Sequence, residues 1–252
     1  MEINIKNLSL KIGENLLFNN ISFQFTSGDV VLIEGKNGTG KSTLLKTMLG
    51  LQRKDKEITG SINFSFSEKN ILKMSDFELL DIRSMVAYLE QKDQYDLNGF
   101  LTVFDVLSDS YKSFYRKSKL CKKDIEKINE IFKKYIPSYM NVKLNSRVNK
   151  LSGGQQRILS IIASICIRSQ SQVFLIDEPL NNLDISNVAA ISNLLNTIVK
   201  ENKNAIFLIV SHCKIFPFIN KTITIDKQNI LTIKNNICHS CFGEFDDRGY
   251  YK

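Results

Sequence analysis

The chain has 252 residues, 43% of them hydrophobic, and a formal net charge of +8. This length suits one large α/β domain with room for an inserted lobe. The longest apolar run, Ile158–Ile167, is far short of the ~18 residues of a membrane span, and five scattered cysteines, an odd number, argue against a disulfide framework.

In chain order, "INIKNLSLKI" and "NISFQFTS" alternate apolar and polar residues with period two and predict β-strands. The start also lacks a basic segment leading into an apolar one, which predicts no secretion signal and a cytosolic chain. "GDVVLIEG" at 28–35 is a continuous apolar run between glycines, the pattern of a strand covered on both faces. "GKSTLLKTMLG" predicts a helix ending at Gly50. "GSINFSFS" at 60–67 and "RSMVAYLEQ" at 83–91 predict two more strands.

From Leu101 to about Asn149 the pattern turns helical and basic, broken at Pro137. Nine Lys or Arg and three acids lie between Tyr111 and Met140. Such a stretch suits nucleic acid, anionic lipid or a solvated helical face. With no nucleic-acid-binding motif in it, the solvated face is the expectation. A helix is then predicted from Ser152 to about Arg168, a buried strand at 172–177, an amphipathic helix at 185–200, a third buried strand at 205–212 and a closing hairpin. Alternating strands and helices predict a parallel sheet with helices on both sides. Cys238 and Cys241 form a lone C-x-x-C around His239; zinc needs about four ligands and no second pair is present.

Three motifs carry chemistry. "GKNGTGKST" fits G-x-x-x-x-G-K-[ST] from Gly35 to Ser42, after a predicted strand and before a helix. Gly35, Gly38 and Gly40 permit positive φ and a close backbone approach to an anion. The loop amides, those of Lys36, Asn37 and Thr39 among them, and the helix start near Thr43 then face phosphate. Lys41 reaches the β- and γ-phosphates, and the Ser42 hydroxyl suits Mg²⁺, a hard ion that favours oxygen. "VFLIDEP" ends an apolar strand on two carboxylates. If the strand continues that far, Asp177 and Glu178 point opposite ways and have different tasks, a magnesium ligand and a base for the attacking water. "LSGGQ" at 151–155 offers a hydroxyl, two glycines and an amide at a helix start, a second seat for an anion with no lysine of its own.

"GKNGTGKST", "LSGGQ", "VFLIDEP", "NNLD" and "IVSH", in that order, resemble the nucleotide-binding subunit of an ABC transporter over essentially the whole chain. The resemblance implies a P-loop NTPase core with a parallel sheet, an N-terminal antiparallel β-subdomain and a helical subdomain at about 92–149, inserted between 1–91 and 150–252. It implies ATP and Mg²⁺ as ligands, a head-to-tail dimer of identical or paralogous subunits, and a separate membrane-spanning partner that holds the chain at the cytoplasmic face. Each ATP would sit on the phosphate loop of one subunit under Ser152, Gly153, Gly154 and Gln155 of the other. Gln91 would touch Mg²⁺ and the attacking water, and its loop would relay nucleotide state to the membrane partner. Asp177 would hold magnesium, Glu178 would be the catalytic acid, Asp184 would cross the dimer interface, and His212 would contact the γ-phosphate.

Two positions depart from the family pattern. Ile12 stands where an aromatic usually stacks on adenine, and "IASICIRS" replaces a small-Arg-small pattern. No nucleic-acid partner is expected. The competing readings are a non-transport ATPase of the same superfamily, which the basic lobe favours, and a nucleotide sensor without turnover, which intact Glu178 and His212 oppose.

Overall fold

The structure, a computed structural model, describes residues 1–51, 56–91, 100–181, 183–212, 216–225 and 231–235. Nine strands and six α-helices carry these residues. β1 (Glu2–Ile12), β2 (Asn15–Thr26) and β4 (Lys56–Phe64) form an antiparallel sheet in the order β2-β1-β4. The second sheet runs β5-β6-β7-β3-β8-β9. It comprises β5 (Val86–Leu89), β6 (Val173–Asp177), β7 (Ile206–Val210), β3 (Val30–Gly35), β8 (Lys221–Ile225) and β9 (Leu231–Asn235). Its first five strands are parallel and β9 closes it as an antiparallel hairpin with β8, as the alternation of elements predicts.

The continuous apolar runs follow from burial on both faces. Along β3, Val30 and Leu32 enter one core while Val31 and Ile33 enter another. β6 and β7 divide their residues the same way, because successive side chains point to opposite faces. Phe174 and Phe207 stack across the paired strands with centroids 4.5 Å apart. One face is covered by α3 (Val103–Phe114), α4 (Lys122–Tyr135), α5 (Gly153–Ile161) and α6 (Ile185–Glu201). The other carries α1 (Lys41–Met48), α2 (Asp76–Ser84) and the antiparallel sheet.

Two features depart from the periodicity. α2 fills a stretch with no predicted element. Its start is a capping box in which the Ser75 hydroxyl accepts from the Glu78 N–H and the Glu78 carboxylate accepts from the Ser75 N–H. The helix expected through Arg168 stays α only to Ile161. Ile162–Cys166 is a π turn in which the Ile167 N–H reaches the Ile162 carbonyl, and the Ser110 hydroxyl of α3 donates to the Ala163 carbonyl there. The "IASIC" departure lies on this turn.

The helical segment leaves and rejoins the chain at one place. Val103 N–H donates to the Ser146 carbonyl at 3.0 Å and Val148 N–H to the Leu101 carbonyl at 2.9 Å, so entry and exit are zipped together. Much of its basic charge is paired: Lys112 with Asp109, Lys117 with Asp124, Lys127 with Glu130 and Lys134 with Glu201, which suits a solvated face. No helix among the described residues is long and apolar enough to cross a membrane. Cys238, His239 and Cys241 lie outside the described residues.

Candidate nucleotide site

The site lies where the parallel strands end. β3 delivers the glycine-rich loop and α1 starts immediately after it, with Gly40 as N-cap in the left-handed region at φ 93°. A side chain at Gly40 is barred twice, by that backbone and by the Phe18 ring, 2.8 Å from where a Cβ would lie. Lys41 is buried; its ammonium folds back to donate to the Gly35 carbonyl at 2.9 Å and the Lys36 carbonyl at 3.1 Å, bracing the loop. Burial holds its pKa below the ordinary lysine value, opposed by the charges of Glu178 and Asp177.

β6 delivers the two carboxylates. Asp177, the last strand residue, is 1% exposed and accepts from the Ser42 hydroxyl at 2.9 Å through Oδ1. Its Oδ2 is buried without a hydrogen-bond partner among the described residues, and burial raises its pKa, opposed first by the Ser42 hydrogen bond. A buried acid that keeps one oxygen unused beside a serine hydroxyl is a donor set a hard cation fits. The strand does not continue to Glu178. This residue adopts φ 45°, a left-handed conformation that costs a non-glycine residue about 1–3 kcal/mol. The turn, rather than strand alternation, gives the two acids different directions. Glu178 N–H is anchored on the Val210 carbonyl at 2.9 Å. Its Oε1 stands 3.2 Å from Nε2 of His212. Burial raises the Glu178 pKa, while the His212 and Lys41 charges pull it down.

Leu17, Asn37, Gly38, Gly40, Lys41, Ser42, Thr43, Gln91, Glu178, Asn181 and His212 line one cavity of about 500 Å³. The structure therefore brings the phosphate loop, Gln91, Glu178 and His212 together, and Ser42 joins Asp177 to them. Gly35, Lys36 and Thr39 shape the loop from behind: Thr39 Oγ1 donates to the Lys36 carbonyl at 2.9 Å, and a Cβ at Gly35 would lie 2.3 Å from the Ile225 carbonyl. Ile12 is partly buried against the core beneath the antiparallel sheet and does not line the cavity. Leu17 does, as does Asn181. Neither is assigned from sequence: Leu17 falls between the two predicted N-terminal strands, and Asn181 opens "NNLD" with no charge to mark it.

Ser152, Gly153, Gly154 and Gln155 do not line this cavity. They start α5 as a capping box: the Ser152 hydroxyl accepts from the Gln155 N–H at 3.3 Å and Gln155 Oε1 accepts from the Ser152 N–H at 2.9 Å. The first-turn amides of Gly153 and Gly154 have no intrahelical acceptor. Ser152 and Gly153 are exposed. Gly154 is buried, and a Cβ there would overlap the Asn187 side chain at 2.1 Å. Asp184 is the N-cap of α6, accepting from the Asn187 N–H at 2.9 Å and the Ser186 hydroxyl at 2.8 Å.

The family described as "ABC transporter" matches residues 18–181. The chain is 32% identical over 195 residues to the lipoprotein-releasing system ATP-binding protein LolD of Buchnera aphidicola subsp. Schizaphis graminum, covering 77% of this chain and 78% of that protein. It is 26% identical to the manganese transport system ATP-binding protein MntB of Halalkalibacterium halodurans, covering 90% and 84%. It is 25% identical to the molybdate import ATP-binding protein MolC of Haemophilus influenzae, covering 95% and 87%. Among solved structures, a dimeric ATP-binding cassette in a post-hydrolysis state bound to ADP and Pi superposes with a TM-score of 0.73 at 23% identity, over 92% of this chain and 98% of that one.

Proposed function

The chain belongs to the ABC transporter family, and on that footing we propose that it is the subunit that binds and hydrolyses ATP to energise a transporter. It works as a head-to-tail dimer against a separate membrane-spanning subunit, on the cytoplasmic face. Residues at about 92–149 are its helical subdomain, and the zipped entry and exit of that segment support the assignment. The loop after Gln91 and this subdomain meet the membrane subunit. The relatives named above serve lipoprotein release, manganese transport and molybdate import in turn, so the family does not by itself choose a cargo.

One observation carries the reading. Lys41, Ser42, Gln91, Glu178 and His212 converge on one cavity, while the second anion seat of the same chain, Ser152–Gln155, stays off it and exposes its first residues. Each chain thus offers half of two sites. A two-fold pairing that brings Ser152 of one subunit over the phosphate loop of the other completes both. The loop amides and Lys41 hold the β- and γ-phosphates; Gly153 and Gly154 amides with the Ser152 hydroxyl take the γ-phosphate from the opposite side. Asp184, already fixed as a helix cap, sits at the dimer interface.

Ser42, Asp177 and Gln91 would hold Mg²⁺, which supplies charge stabilisation to the phosphoryl group. Glu178 accepts a proton from water as the water oxygen bonds to the γ-phosphorus and the bond to the bridging oxygen breaks, leaving ADP and phosphate. A carboxylate held above its ordinary pKa is a stronger base than an exposed one, and His212 beside it orients the group and meets the γ-phosphate. Leu17, on the cavity wall where Ile12 is not, offers adenine an aliphatic neighbour without a π-face.

The test is complementation. Ser152→Ala and Lys41→Ala proteins, each inactive alone, are mixed and phosphate release is followed against total concentration. The expected result is partial recovery, since a mixed dimer keeps one intact composite site. No recovery, together with wild-type specific activity independent of protein concentration, would refute the shared site. For the transport reading, a polytopic membrane protein should be recovered from detergent-solubilised membranes; recovery only with nucleic acid or ribosomes refutes it.

A further inference from the structure

Arg157 lies five residues beyond the Ser152 cap on α5, about 7.5 Å along the helix at 1.5 Å per residue. It is 4% exposed and has no place in the roles above. Among its partners in the described residues are four backbone carbonyls on two separate segments: Nε donates to Pro179 at 3.1 Å, Nη2 to Asp177 at 3.1 Å and to Glu178 at 2.9 Å, and Nη1 to Glu90 at 3.0 Å. Three of these carbonyls are consecutive and turn toward one point because Glu178 adopts φ 45°. Glu90 immediately precedes Gln91, and its carboxylate also receives Lys46 of α1 at 2.6 Å. α5, the strained turn bearing Glu178 and the segment after β5 bearing Gln91 thus meet at one planar cation.

We propose that Arg157 is a positioning residue: from α5 it holds the Glu178 turn and the Gln91 segment after β5 in register. Its donors go to backbone carbonyls, so it acts through Glu178 and Gln91. Resting on the function proposed above, the inference adds a route between the two composite sites. Phosphate seated on Ser152 of a chain lies in one site, and Arg157 on the same helix grips Glu178 in the other. Occupancy of the first site therefore bears on the geometry of the second through a single helix of 9 residues. The fixed fork of a guanidinium suits four carbonyls on two segments, whereas a lysine ammonium, with three donors on one nitrogen, reaches a subset of them.

The test uses full-length Arg157→Lys and Arg157→Met proteins beside wild type. Three readouts are taken: thermal melting, affinity for a fluorescent ATP analogue, and kcat with KM for hydrolysis. Hydrogen exchange of the nucleotide-free protein is followed over Asp177–Asn181 and Glu90–Gln91. The expected outcome is a kcat lowered on the order of 10–100-fold, the cost of a small misplacement of a catalytic group. Affinity and KM stay within about threefold, as for a loss confined to the transition state. Exchange becomes faster at both segments, and lysine does not restore kcat. A folded lysine variant with kcat within threefold of wild type, or a raised KM with unchanged kcat, overturns the proposal. So does unchanged exchange at the two segments. Failure of both variants to fold also overturns it, since Arg157 then belongs to the fold alone. A wild-type protein that hydrolyses no ATP refutes the proposed function instead, and the exchange experiment still decides the role of Arg157.

Discussion

Glu178→Gln separates what the carboxylate does for chemistry from what it costs the fold. Glutamine keeps the volume, so the turn at φ 45°, the Val210 anchor and the Arg157 bonds have no steric reason to change. What disappears is a charge on a side chain only 10% exposed, 3.2 Å from His212. On the chemical side a positioned general base contributes about 10²–10⁴ in rate, or roughly 3–5 kcal/mol of barrier, so phosphate release should fall by at least a hundredfold. With ATP bound and not split, the closed dimer should accumulate and elute earlier in size exclusion.

On the stability side, burial raises the Glu178 pKa in the folded chain. Between the ordinary carboxylate value and the raised one, the folded state holds a proton that the unfolded state has lost, and stability falls as pH rises through that window. Glutamine removes this penalty. Without nucleotide the variant should melt above wild type at neutral pH, and the difference should shrink as pH falls below the ordinary glutamate value of about 4.3. A gain of ~1 kcal/mol reads as about 2–4 °C for a chain of this size. Turnover within threefold of wild type would refute the role of Glu178, and a variant that melts lower than wild type at neutral pH would refute the sign of the burial argument.

Lys41→Ala removes two bonds that brace the loop and one phosphate partner; ATP affinity by nucleotide titration should fall at least about tenfold, and unchanged affinity would contradict the phosphate-loop assignment. Ser42→Ala leaves both oxygens of the Asp177 carboxylate without the serine donor. It should destabilise the protein by about 1–3 kcal/mol and raise the Mg²⁺ concentration needed for half-maximal hydrolysis, which a metal titration reads directly. Gly60→Ala tests the fold away from the site. With φ 95° and a Cβ 2.4 Å from the Asn7 carbonyl, it should cost roughly 2–3 kcal/mol and lower the melting temperature by several degrees. Hydrolysis per folded molecule should stay at the wild-type level, and a loss of kcat with unchanged melting would contradict this account of the β1–β4 approach.

Much of the site is local and was therefore legible. A phosphate loop needs a strand, flexible glycines, a lysine and a helix start within nine residues, and all are contiguous from Gly35 to Thr43. "LSGGQ" reads as a helix start because Ser152 and Gln155 have the spacing of a capping box. The same spacing at Ser75 and Glu78 marks α2, and there the sequence carried a signal that periodicity alone passed over. The apolar runs of β3, β6 and β7 announced burial on both faces because neither face tolerates a polar side chain.

Other features depend on contacts between distant segments. Strand order places β3 and β6 on either side of β7, and only that brings Ser42 to Asp177, 135 positions apart. The alternation of a strand predicts where Glu178 would point, yet its backbone is left-handed and is bonded by Val210 and Arg157 from outside the strand. Leu17 in place of Ile12 on the cavity wall depends on the register of β1 against β2, which has shifts along its length. In sequence Arg157 is one more charge on a helix. Its four carbonyl partners exist only once β5, β6 and α5 have packed, because the polar groups of a buried turn need donors that the turn itself does not contain.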